Sequence, residues 1–209
     1  MNNNIQYYVV DVETNGLRNS YHEINEVSLI RCTDKVQLTQ FIKCESPEHS
    51  SYDALRITGK TLADLSKCSS REEAVEKIDK FLNEDGSSRV GRCFIGHNII
   101  NFDKKFLHTL YESVGKELQV NLWMDTLSMI KAYAKQNNLK GPFNLHASCD
   151  LMNIKKLSAA HASKIDTRNT YFLYKELINK MDYLPFIKTA VHKITSDDEE
   201  YLDVDLLDM

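Results

Sequence analysis

The apolar and polar positions of the chain change period several times, and each change marks an element. Residues 5–12, Ile-Gln-Tyr-Tyr-Val-Val-Asp-Val, are rich in β-branched and aromatic side chains and run into Thr14-Asn15-Gly16, which predicts a strand closed by a turn. Further strands are predicted over 26–32 and 36–44, and the polar link 33–35 suits a hairpin, so the three make an antiparallel ribbon. From 71 to 83, Ala74, Val75, Ile78, Phe81 and Leu82 recur at helical spacing, with Ser69 or Ser70 as the N-cap and Gly86 beyond the end. A short buried strand over 92–96 precedes a helix over about 102–114, and a strand over 120–124 precedes a helix over about 126–136. After Gly141-Pro142 the pattern is helical over about 145–152, 164–180 and 185–194.

Three antiparallel strands followed by strands alternating with helices predict an α/β fold: a mixed five-stranded sheet, three antiparallel strands then two parallel, flanked by helices. A chain of 209 residues fits one domain of that kind. The only clear shift in composition comes near its end, so 1–194 is expected to be the domain and 195–209 a flexible acidic tail.

That tail changes how the charge is understood. The whole chain carries a formal charge of −4, which suits a nucleic-acid enzyme poorly, but seven of its acids lie in 195–209 with no basic residue among them. The remaining body holds 26 basic and 23 acidic side chains, a net +3, and bound divalent ions would make it more positive still. The body can therefore meet a phosphate backbone without strong repulsion. Residues 197–209 alternate acidic with apolar side chains, a pattern that serves as a solvated tail, as a peptide for a protein partner, or as a cover for a basic groove. Cys32, Cys44, Cys68, Cys93 and Cys149 are odd in number and form no Cys-x-x-Cys pair, which favours reduced thiols and an intracellular, cytoplasmic chain, with the nucleus left open. No apolar run approaches the roughly 18 residues of a membrane span, and the N-terminus lacks the pattern of a signal peptide, so neither membrane insertion nor processing is expected.

The chemistry is carried by acids. Asp11 and Glu13, two residues apart on a strand, point to one face of the sheet. Two carboxylates there repel each other and lose solvation unless something offsets them, and hard divalent cations do so directly. The bland alternative is a turn-capping pair before Gly16. Asp103 follows Gly96-His97-Asn98-Ile-Ile-Asn-Phe102, where a strand gives way to a helix; a first-turn acid is favourable there even without metal. His161 and Asp166 are five residues apart, which on a continuous helix separates them by about 140°. If both serve one site, His161 belongs in a loop or first turn and Asp166 on the helix proper. The lone histidine has an ordinary reading as a surface or hydrogen-bonded core residue. A rival set, His146-Ala-Ser-Cys-Asp150, lies in a helical pattern with Leu145, Cys149 and Met152 that suggests packing.

Taken together, Asp11-Val-Glu13-Thr14, His97-Asn98 before Phe102-Asp103, and His161-x4-Asp166 resemble the DEDDh subclass of DnaQ-like exonucleases. Glu23-Ile-Asn-Glu26-Val, Ile57-Thr58-Gly59 and Asp125-Thr126-Leu127 extend the resemblance over roughly residues 5 to 180 in the family's order. The resemblance implies a ribonuclease H-like fold and 3′→5′ hydrolysis of DNA or RNA, single-stranded or at 3′ ends, releasing 5′-mononucleotides. It also implies two Mg²⁺ or Mn²⁺ ions held by Asp11, Glu13, Asp103 and Asp166, with His161 as the base. It places Thr14, Gly16 and Leu17 beside the terminal nucleotide, Leu17 as an apolar wedge, and Asn98 near the scissile end. Three residues separate Asn98 from Phe102 where many members have two, which bears on Asn98 more than on Asp103. Two other functions fit the same chain: a weakly catalytic nucleic-acid-binding or regulatory module, and a hydrolase of a non-polymeric phosphodiester.

Overall fold

A computed structural model describes residues 5–85, 91–157 and 163–189. Six strands build one mixed sheet in the order β3-β2-β1-β4-β5-β6. β1 (Ile5–Thr14) is central, antiparallel to β2 (Ile24–Arg31) and parallel to β4 (Gly91–Gly96). β3 (Gln37–Phe41) extends the antiparallel side, and β5 (Leu122–Asp125) lies parallel to β4.

The period-two pattern of β1 divides the core. Tyr8, Val10 and Val12 face a cluster with Trp123 and with apolar residues of α3 (Arg71–Asn83) and α4 (Asp103–Ser113). Tyr7 and Val9 face the opposite cluster, made with α5 (Thr126–Gln136), α6 (Leu145–Leu151) and α7 (Ser163–Lys180). A central strand covered on both sides reads as a nearly continuous apolar run, as this one does. Caps set the helix starts: Ser70 and Glu73 close a capping box on α3, and the Asp125 carboxylate accepts from Leu127 N at the start of α5.

Two features depart from the sequence pattern. The sheet has six strands, not five, because residues expected to open a helix at 185–194 instead form a 3₁₀ turn, Leu184–Phe186, and then β6 (Ile187–Thr189). β6 pairs antiparallel with Leu122, Trp123 and Met124. Pro185 suits a helix start, but the open edge of β5 offers backbone partners that local periodicity cannot register. Helices α1 (Tyr52–Thr58) and α2 (Leu62–Leu65) were not expected. α1 buries no residue, so it has no apolar stripe to announce it; Ser51 caps one end and Gly59, at φ 66°, closes the other. The acidic segment 195–209 lies outside the described residues. No helix among the described residues is long and apolar enough to cross a membrane, and the five cysteines are unpaired thiols.

Candidate active site

Three elements converge where β1 ends. Asp11 and Glu13 continue the row of Tyr7 and Val9, so they lie on the face that α7 covers. Asp11 pairs across the sheet with Ser28 and Glu13 with Glu26, and the register then shifts between Glu13 and Thr14. α4 brings in Asp103, which is 4% exposed and whose Oδ1 accepts from Val12 N at 3.1 Å. α7, packed against β1 and β2, presents Asp166 in its first turn.

The electrostatics show how close these acids are. Burial, then the charges of Asp103, Glu13, Asp166 and Glu26, push the Asp11 carboxyl well above its ordinary value. Burial lifts Glu13 to about 7 against the pull of Lys60, with Glu26, Asp166 and Asp103 adding to the rise. Burial also lifts Asp103 to about 7, although its hydrogen bond from Val12 opposes the shift. Among the described residues no three His, Cys, Asp or Glu side chains are already drawn into ion-holding geometry. The set nevertheless fits divalent ions, because it consists of hard oxygen donors whose shared repulsion a cation would relieve.

A pH effect follows from Glu13. At about pH 4.5 it begins to ionise in the unfolded chain, whereas the folded protein holds the proton until about 7. Metal-free stability therefore declines as pH rises through that window. Glu13→Gln removes this contribution, so in chelator its Tm should exceed that of the parent by a margin that grows from pH 4.5 to pH 8. A margin that does not change across that range, measured by calorimetry, would contradict this account.

His161 lies outside the described residues, two positions before Ser163. The rival His146 is not a packing residue: Cys149 and Met152 turn into the core, while His146 stands 38% exposed with Nε2 3.5 Å from Asp166 Oδ1. His146 and Cys149 are three residues apart and share a flank of α6, so spacing does not separate them; what neighbouring elements cover does, and a letter pattern does not reveal that. His97 is structural in its surroundings. Its Nε2 meets the Phe143 carbonyl at 2.8 Å, its Nδ1 lies 3.0 Å from Thr126 Oγ1, and burial lowers it to about 4, so it stays neutral.

Of the residues assigned to the terminal nucleotide, Thr14 is buried and donates its hydroxyl to the Gly16 carbonyl at 2.6 Å. A Cβ on Gly16 would stand 1.9 Å from His22 Cδ2, so any larger residue there requires the His22 ring to move. Leu17 is 55% exposed, while Asn98 takes the left-handed conformation with φ 66°. The Asn98 N–H donates to Asp125 Oδ1 at 2.9 Å, and its side-chain oxygen accepts from Asn101.

Sequence reasoning assigned no role to Glu26, Lys60 or Ser163. Glu26 is buried; its Oε2 meets Lys60 Nζ at 2.5 Å and its Oε1 accepts from Ser163 Oγ at 2.6 Å. Glu26 stands in the Glu23-Ile-Asn-Glu26-Val motif, and the sheet register sets it directly across the strand pair from Glu13.

The exonuclease family RNase_T matches residues 8–174. The PolC-type DNA polymerase III of Staphylococcus haemolyticus is 26% identical over 85% of this chain, and that of Staphylococcus saprophyticus 28% identical over 85%. The chain spans only 12% of the length of either polymerase. Among solved structures, E. coli Exonuclease I in complex with a dT13 oligonucleotide superposes with TM-score 0.69 at 18% identity, over 84% of this chain and 41% of that one. The nuclease domain of 3′hExo, a DEDDh family member bound to rAMP, gives TM-score 0.68 at 12% identity, over 90% of this chain and 97% of that one. With a family match spanning most of the chain and this fold beneath the clustered acids, the protein belongs to the DnaQ-like exonuclease family.

Proposed function

We propose that this chain is a metal-dependent 3′→5′ exonuclease of the DEDDh type, with residues 1–194 as its catalytic domain, that releases 5′-mononucleotides from DNA or RNA. The observation that carries the reading is the gathering of Asp11, Glu13, Asp103 and Asp166 by three separate elements at the end of β1, where each acid raises the cost of ionising another. Acids placed together at that expense make sense as ligands for cations.

In this reading the four carboxylates hold two Mg²⁺ or Mn²⁺ ions, which when bound acidify a water and offset charge on the attacking and leaving oxygens. His161 takes the proton of the attacking water. The exposed Leu17 meets the last base, and Thr14 and Gly16 shape the turn that carries it. Asn98 stands near the scissile end, its left-handed backbone held by Asp125. Relatives bound to an oligonucleotide and to a ribonucleotide support nucleic acid as the substrate class.

The test is a panel of single-stranded DNA, single-stranded RNA and recessed duplexes, labelled at either end, with Mn²⁺ or with chelator. Stepwise shortening from the 3′ end that chelator stops is expected. Tight binding of every strand without metal-dependent cleavage would instead make the chain a binding module.

A further inference from the structure

Glu26, a buried acid, stands as a fifth beside the four, and its two oxygens are both engaged. One faces the Lys60 ammonium at 2.5 Å and the other accepts the Ser163 hydroxyl at 2.6 Å. Lys60 is itself nearly buried, with 12% of its side chain exposed, and a second contact from its Nζ reaches Asn25 Oδ1 at 3.2 Å. A lone carboxylate in this position would only add to the repulsion on Glu13, its cross-strand neighbour. The lysine removes that penalty and leaves Glu26 free to act as a hydrogen-bond acceptor.

The group it holds is the first residue of α7. Ser163 is fully buried, and the Thr167 hydroxyl in turn donates to the Ser163 carbonyl. At the neighbouring, exposed positions Lys164 and Arg168, Gln37 Nε2 donates to the Lys164 carbonyl at 2.9 Å, and Arg168 Nε donates to Gln37 Oε1 at 2.8 Å. The opening turn of α7 is therefore tied to β2 and β3 from two directions, and Asp166 is carried on that turn.

On the reading of the acids as metal ligands, we propose that Glu26, Lys60 and Ser163 are positioning residues: a buried lysine–glutamate–serine chain that fixes the start of α7 and so sets Asp166 at ligand distance from the carboxylates of β1. Partners that orient the ligands of a metal site are commonly worth about 10- to 100-fold in affinity. With one oxygen on the lysine and the other on the serine, Glu26 is assigned to supporting the ligands and not to joining them.

The experiment is a calorimetric Mn²⁺ titration of the intact protein without substrate, alongside oligonucleotide kinetics. Ser163→Ala should weaken Mn²⁺ binding by about tenfold, leave KM for the oligonucleotide near the parent value, and recover most of kcat at saturating Mn²⁺. Glu26→Gln, which keeps an acceptor for Ser163 but leaves the Lys60 ammonium without its carboxylate, should weaken Mn²⁺ binding by no more than Ser163→Ala does. Ser113→Ala, which removes a helix hydroxyl bond to the Leu110 carbonyl on α4, serves as the stability control and should leave the affinity unchanged. A folded Ser163→Ala protein with parental Mn²⁺ affinity would overturn the positioning role, and a loss in Glu26→Gln as deep as that in Asp11→Asn would make Glu26 a ligand instead. A parent protein that neither binds Mn²⁺ nor cleaves would overturn the metal-site reading itself, a result distinct from both.

Discussion

Asp11→Asn should lower kcat by about 10³-fold, the equivalent of roughly 4 kcal/mol of transition-state stabilisation, and should at the same time raise the Tm of the metal-free protein. The two effects share one cause. Asp11 is the acid whose ionisation is opposed by most of the others, with burial first and Asp103, Glu13, Asp166 and Glu26 behind it. In the metal-free protein the surroundings oppose ionisation of this side chain, and asparagine keeps its shape without that charge. A gain on the order of 3 °C corresponds to about 1 kcal/mol in a chain of this size. In Mn²⁺ the ranking should reverse, because the parent protein gains binding energy that the variant cannot. Active sites commonly hold such strained arrangements at the expense of stability. The check is a pair of calorimetric scans, with chelator and with Mn²⁺, beside the rate measurement. An inactive variant that melts below the parent in chelator would point to a disrupted fold and not to a missing ligand.

The second large effect concerns two histidines. His161→Ala should lower kcat by about 10²- to 10³-fold, the usual contribution of a general base, with KM for the oligonucleotide little changed. His146→Ala should cost about tenfold, the lower end of what a partner of a metal ligand contributes, because its Nε2 stands 3.5 Å from Asp166. Both enter the ordered pattern as a histidine with an acid four or five residues on, and the two sites differ in context. His146 lies on α6, fixed by Asn144 as N-cap, while His161 precedes the helix that bears Asp166. Measuring kcat for both variants across pH separates them: the base variant should lose the acid limb of the profile. If His146→Ala loses that limb and His161→Ala keeps it, the roles are exchanged.

Much of this could be anticipated from particular residues. The alternation in residues 5–12 places Asp11 and Glu13 on one face, and the structure has them following Tyr7 and Val9 as that period requires. Helix α3 spans Arg71–Asn83, the bounds its periodicity predicted, because its apolar stripe and its Ser70 cap are both local signals. Helix α1 was invisible for the opposite reason: it buries nothing. The three residues of β6 follow Pro185 and look like a helix start, and only the edge of β5 makes them a strand.

The sequence by itself determined the residue types, the faces on which they stand and the order in which the acids arrive, since period and capping act over a few residues. Only the tertiary structure decided that Glu26 meets Lys60 and Ser163, and that His146 reaches Asp166. Glu26 and Ser163 are 137 positions apart. Their contact is set by which helix covers which strand, and no local pattern carries that information; it comes from the packing of α7 across β1 and β2.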